Sequence, residues 1–249
     1  MGLTRTLYLM REHWKMINVE DISVARNHQT ILKEITLSFK EGEFINIMGP
    51  SGSGKSTFLK LLNGLESFNG GVIRYDGRDI LEIDPIDLRR EVGYVFQVPY
   101  LFGEKVRENI EYPIKLGKLE LDEDYVTEML TSLNLKKEIL DKKCKDLSGG
   151  EQQRISLLRS LMLRPKVLLL DEITSSLDPI NTKLVEEFIK DIYKKYHITI
   201  ILVTHSVEQA KRMGSRTVFF KEGTVFMDST TEEFFSHQQK DFIKEFIES

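Results

Sequence analysis

The 249-residue sequence has a single cysteine, Cys144, which rules out an internal disulfide and with it a disulfide-stapled scaffold. One cysteine fits a reducing compartment, and its ordinary role is that of a small, inert side chain. No stretch approaches the roughly 20 consecutive apolar residues of a transmembrane helix. Basic charge is not in excess either. The 35 Lys and Arg residues stand against 39 Asp and Glu, a net charge of −4, so there is no electrostatic case for nucleic-acid binding as the main task. Near the N-terminus Arg5 and Arg11 leave only Thr6 to Met10 between them, too short an apolar run for a secretory signal. Residues 1–15 form an extension with no assigned function. Repeats and low-complexity tracts are also missing from the sequence. With 41% hydrophobic and 30% charged residues, the composition is that of an ordinary globular protein, long enough for one large domain or two small ones.

From Met16 onward, short apolar runs alternate with segments of helical period, the pattern of a mainly parallel sheet with helices packed on it. Phe44 to Met48, Val167 to Leu170 and Ile198 to Val203 are apolar almost throughout, as strands buried on both faces are. They run into Gly49, Asp171 and Thr204-His205. Ligands of open α/β sheets bind beyond the carboxyl ends of such strands, so these polar residues point to one shared site. Helices are expected over Lys55 to Asn63 and over Thr182 to Lys194, where Leu184, Val185, Phe188, Ile189 and Ile192 form one stripe. Between Pro99 and Leu147 the strand signal fades, and Tyr125, Val126, Met129, Leu130 and Leu133 trace another helix, consistent with an inserted helical subdomain. Near the C-terminus, Arg216 to Phe220 and Thr224 to Met227 read as a hairpin around Glu222-Gly223. Phe234, Phe235, Phe242, Ile243, Phe246 and Ile247 then suggest short amphipathic helices that cover the core.

Gly49-Pro50-Ser51-Gly52-Ser53-Gly54-Lys55-Ser56, followed by Thr57, fits the phosphate-loop pattern and lies between a buried strand and a helix, as the mechanism requires. The glycines let backbone N–H groups turn inward around phosphate oxygens, and the following helix adds positive potential. Lys55 would reach the β- and γ-phosphates and the Ser56 hydroxyl would ligate Mg²⁺. A flexible Gly/Ser loop is the bland alternative. Val167 to Glu172 supplies a second half: Asp171 at the end of a buried strand suits the metal shell, and Glu172 suits a general base for the attacking water. An apolar strand ending in Asp-Glu is weak by itself; beside a phosphate loop it is strong. In Leu147-Ser148-Gly149-Gly150-Glu151-Gln152-Gln153-Arg154, Ser148 and Glu151 have capping-box spacing, so the stretch could simply be a well-capped helix through Ile155, Leu158 and Leu161. Its two glycines would also let a phosphate approach the bare helix end.

The order phosphate loop, Gln97, LSGGEQQR, LLLDE, SSLD and His205 resembles the nucleotide-binding domain of ABC (ATP-binding cassette) transporters, from Met16 to the last strands. The resemblance implies an α/β fold: a P-loop NTPase core with a mainly parallel sheet, an N-terminal antiparallel β subdomain and an inserted α-helical subdomain. It implies one domain over 16–249, with 16–98 and 148–249 as the core lobe and about 99–147 as the helical part. By the same resemblance Gln97 senses Mg²⁺ and the attacking water, and Ser148, Gly149 and Gly150 bind the γ-phosphate of an ATP held by the opposite subunit. Ser175-Ser176-Leu177-Asp178 crosses the dimer seam, and His205 contacts the γ-phosphate. ATP and Mg²⁺ are the implied cofactors. A second copy and a transmembrane permease are the implied partners, with the chain lying peripherally on the cytoplasmic face of the membrane.

Two positions depart from the family. An aromatic residue usually stacks on adenine about 23 positions before the first phosphate-loop glycine, and counting back from Gly49 reaches Arg26, whose plane can also stack on a base. The usual Pro after the catalytic Glu is Ile173. DEITSSLD, the segment Gln97 to Gly103 and QQRISLLRSLMLRPKVLLLDE look most like the FetA/YbbL-type subunits implicated in iron or metal export. The five histidines and one cysteine form no metal-ligand cluster, so a transported metal would be handled by a partner. Pro99, Tyr100, Leu101 and Phe102 put bulky apolar groups just after Gln97, as a docking groove or as core packing. Competing readings are an importer subunit for phosphate or amino acids, a soluble ATPase of the same superfamily, and a small P-loop kinase. A single set of motifs and the short span from Gln97 to Leu147 disfavour the repair, chromosome and translation ATPases, while the signature disfavours a kinase.

Overall fold

The computed structural model describes residues 15–236. The extension before residue 15 and the apolar residues Phe242, Ile243, Phe246 and Ile247 lie outside the described residues. The expected antiparallel N-terminal sheet is present. Strands β1 (Lys15–Arg26) and β2 (Gln29–Lys40) form a long hairpin, to which β4 (Gly70–Tyr75) and the short β5 (Arg78–Asp79) add in the order β2-β1-β4-β5. The second sheet contains β3 (Phe44–Met48), β6 (Val92–Val95), β7 (Val167–Asp171), β8 (Thr199–Val203), β9 (Arg216–Lys221) and β10 (Thr224–Thr230) in the order β10-β9-β3-β8-β7-β6. It is parallel apart from the β9–β10 hairpin.

The continuous apolar runs of β3, β7 and β8 follow from burial on both faces. Leu168 and Leu170 of β7 join one core, and Val167 and Leu169 join the other. Among the polar exceptions, Asn46 in β3 is fully buried. Its amide donates to the Ala210 carbonyl at 2.9 Å and accepts from Gly214 N–H at 3.2 Å, so its desolvation is offset by bonds. Register sets the position of the site. Val203 pairs with Ile47 on one side and with Asp171 on the other, so β3, β8 and β7 end level and deliver Gly49, Thr204-His205 and Asp171 to one edge.

Helix α1 (Lys55–Leu61) follows β3, and α2 (Pro85–Glu91) precedes β6. Residues between β6 and β7 form no named strand. They hold α3 (Val106–Leu116), α4 (Glu123–Ser132), two short 3-10 turns and α5 (Gly149–Leu161). Helices α6 (Pro179–Tyr196), α7 (Val207–Arg212) and α8 (Thr231–Ser236) complete the set. Phe234 of α8 is fully buried against Phe219 and Met48, as a core-covering helix requires. Among the described residues no helix is long and apolar enough to cross a membrane.

Candidate active site

Gly49 begins the phosphate loop in a left-handed conformation with φ +140°, and a Cβ there would lie 2.1 Å from the Phe220 carbonyl oxygen. At the other end Gly54, φ +97°, is the residue before α1, where a Cβ would stand 2.5 Å from Leu32 Cδ2. Only glycine fits either place. The loop leaves the first N–H groups of α1 without helical partners and turns them toward the cleft. Lys55 is buried and its ammonium donates to the carbonyls of Gly49 at 2.9 Å and Pro50 at 2.8 Å. Burial lowers its pKa, an effect opposed by the nearby Glu172 and Asp171 carboxylates.

Asp171 ends β7, and its side chain is gripped on both oxygens. Ser56 Oγ donates to Oδ1 at 2.8 Å and the Tyr94 hydroxyl to Oδ2 at 2.7 Å. Burial and the adjacent Asp171 carboxylate raise the Tyr94 pKa far enough to keep the phenol a donor. Glu172 is the first residue past the strand and adopts φ +49°, an uncommon state for a residue with a Cβ. Its N–H donates to Val203 O at 3.1 Å, which ties this turn to the end of β8. Its carboxylate lies between two donors: Gln97 Nε2 at 2.9 Å from Oε2 and His205 Nε2 at 2.5 Å from Oε1. Gln97 also reaches Ser175 Oγ at 3.4 Å.

Lys55, Ser56, Gln97, Glu172 and His205 border a cleft of about 410 Å³, with Ser51, Gly52, Gly54 and Thr57 on the loop side and Ile31 as its hydrocarbon wall, and Asp171 stands behind Ser56. Arg26 does not line this cleft. It ends β1 and its guanidinium is paired with Glu66.

The signature residues are not brought into the cleft. Ser148 caps α5: its Oγ accepts from Glu151 N–H at 3.2 Å while the Glu151 carboxylate accepts from Ser148 N–H at 2.8 Å, so the expected capping box is formed. Those bonds and the Lys142 ammonium hold the Glu151 pKa below the usual carboxylate range. Gly149 stands in open space, and a Cβ on Gly150 would press on the Asn181 side chain at 3.1 Å. Asp178 caps α6, accepting from Ile180 N–H and Asn181 N–H, each at 3.0 Å. The Asn181 side chain in turn bonds both Asp178 and Arg154, linking this cap to the signature helix.

The sequence reading missed Tyr94 and Ile31. A tyrosine in a buried strand must place its hydroxyl on a partner, which is a usable signal. Identifying Asp171 as that partner requires knowing that β6 and β7 are neighbours.

A family model described as ABC transporter matches residues 32–175. The chain belongs to the ABC transporter family. It is 38% identical over 245 residues to a phosphate import ATP-binding protein, PstB 2, of Lactobacillus acidophilus, covering 93% of this chain and 97% of that one. Among solved structures it is similar to the dimeric ATP-binding cassette MJ0796 in a post-hydrolysis state bound to ADP and Pi. That match has a TM-score of 0.78 and 28% identity, over 87% of this chain and 99% of that one. It also resembles cbiO1 of Clostridium perfringens, part of the ABC transporter complex cbiONQ, with a TM-score of 0.78 and 29% identity over 93% and 94% of the two chains. This ABC protein is therefore an ATP-binding subunit that hydrolyses ATP to power transport.

Proposed function

We propose that this ABC subunit works as a head-to-tail dimer, peripheral to a permease on the cytoplasmic face of the membrane. Each ATP would lie between one copy's phosphate loop and the other copy's Ser148-Gly149-Gly150. One observation carries the proposal: Glu172 is fixed at the mouth of the phosphate-loop cleft between Gln97 and His205, while the signature lies outside that cleft. A second copy is then needed to bring a signature to the open side.

The donor set fits magnesium, because Ser56 Oγ and Asp171 Oδ1 are hard oxygen donors already within 2.8 Å of each other, with Gln97 across the cleft. Ser56, Asp171 and Gln97 would hold the ion, which would supply positive charge to offset that of the phosphates. The chain's own residues do the rest. Lys55 exchanges two loop carbonyls for phosphate oxygens. Glu172 takes the proton of the attacking water, Gln97 orients that water, and His205 holds Glu172 and reaches toward the γ-phosphate. Arg26, with 45% of its side chain exposed, offers its guanidinium plane to the base while Glu66 holds it.

Residues 99–147, with α3 and α4, serve as the permease-facing helical part. Val98 is 75% exposed and Tyr100 72% exposed, whereas Leu101 packs against the core; the apolar run after Gln97 is thus divided between surface and interior. For the cargo we propose iron or another metal ion, on the resemblance of residues 97–103 and of DEITSSLD to metal exporters. Phosphate is the second reading, favoured by the Lactobacillus relative's name. Vesicles containing this subunit and its co-purifying permease, loaded with either iron or phosphate, separate the two.

The hydrolytic assignment is tested by Glu172→Gln. ATP binding should persist while the rate of phosphate release falls at least about a hundredfold, the usual contribution of a positioned base. A wild-type rate in this variant would remove Glu172 from the role.

A further inference from the structure

Behind the reacting centre lies a second polar cluster that none of the motifs accounts for. Glu186, on α6, is buried with 4% of its surface exposed, and Arg212 of α7 pairs with it through two bonds of 3.0 and 3.1 Å. Gln209, also on α7 and 3% exposed, donates from its amide nitrogen both to Glu186 Oε1 at 3.1 Å and to Thr174 Oγ1 at 2.9 Å. A carboxylate only accepts, so Glu186 fixes which end of the amide faces it, and the same nitrogen is thereby aimed at Thr174.

The ends of this chain of bonds are significant. Thr174 lies two residues after Glu172, in the turn whose left-handed backbone state must be imposed by its surroundings. Helix α7 begins directly after His205: Ser206 Oγ accepts from Gln209 N–H at 3.1 Å, and Ser206 N–H donates to Thr204 Oγ1 at 3.0 Å. The segments carrying Glu172 and His205 meet across the cleft in front, are joined by the bond from Glu172 N–H to Val203 O, and are linked once more at the rear by the Gln209 amide. Ile173 is buried in the core, but Thr174, His205 and Gln209 border a further cleft of about 440 Å³, so on that side Thr174 is held by the amide and not by packing.

We infer that Gln209 is a positioning residue for ATP hydrolysis: oriented by Glu186, it holds Thr174 so that Glu172 stays in register with His205 and the phosphate loop. The inference rests on Glu172 being the general base. It is selective in what it affects, since none of these three side chains touches the loop that would bind the phosphates.

Gln209→Ala and Thr174→Val each cut the link from one end, and Thr174→Ser preserves the hydroxyl. In steady-state ATPase assays of the full chain, Gln209→Ala and Thr174→Val should each lower kcat about tenfold, a modest value for misplacing a base, with KM for ATP changed by less than about twofold. Thr174→Ser should keep the wild-type kcat. In single turnovers on a Glu172→Gln background, where no base remains to be misplaced, Gln209→Ala should cause no further loss. Thermal melts identify folded variants, and Thr174→Val decides if Gln209→Ala does not fold. Unchanged kcat in folded Gln209→Ala and Thr174→Val, or an equal loss in both backgrounds, would overturn the link. A fully active Glu172→Gln would instead overturn the base assignment beneath it.

Discussion

Gly49 has two independent reasons to be glycine, a φ of +140° and a neighbouring carbonyl 2.1 Å from where a Cβ would sit. Gly49→Ala should therefore displace the loop, lowering stability by at least about 2 kcal/mol and abolishing ATP binding, as read by denaturant titration and nucleotide fluorescence. Tyr94→Phe is a gentler test. It leaves Asp171 Oδ2 without its phenol donor, so stability should fall by about 1–3 kcal/mol and half-maximal hydrolysis should need more Mg²⁺. Unchanged stability and Mg²⁺ dependence would show that Ser56 alone holds Asp171. The chemical side chains were legible in sequence because each motif has a fixed spacing. Their supports were not: Tyr94 meets Asp171, and Gln209 meets Thr174 and Glu186, only through packing of distant elements.

Element ends follow local chemistry closely. Helix α6 begins at Pro179, with Asp178 accepting two backbone N–H bonds, earlier than the apolar stripe from Thr182 suggested. Proline at the first helical position and aspartate before it are start signals that the stripe does not contain. Asp178→Ala should destabilise the fold by about 1 kcal/mol, visible as a lower urea midpoint, through the cap alone. Helix α3 holds Pro113 in its interior. Proline ordinarily ends a helix, yet here Gly117 N–H still bonds the Pro113 carbonyl at 2.9 Å, and Val106, Ile110 and Ile114 bury one face. The three strands that read as continuous apolar runs were legible in sequence. Burial on both faces leaves no alternation to misread.

At the scale of the whole molecule the decisive feature is separation. One chain places Lys55 and Ser56 of the loop with Gln97, Glu172 and His205 around one cleft, and carries Ser148, Gly149 and Gly150 at the start of α5 outside it. The exposed Val98 and Tyr100 offer an apolar contact beside Gln97. A cysteine at position 100 should cross-link to the co-purifying permease, and failure under every nucleotide condition would remove this loop from the docking face. The family resemblance already implies a nucleotide site shared by two copies; in the fold, one chain's Ser148, Gly149 and Gly150 do not line its own phosphate-loop cleft. The most direct test is the ATPase rate as a function of protein concentration. If two copies complete each site, the total rate at low concentration should rise with the square of protein concentration and the rate per chain should level off once dimers form. A rate per chain that stays constant through dilution, while sedimentation shows monomers, would contradict a shared site.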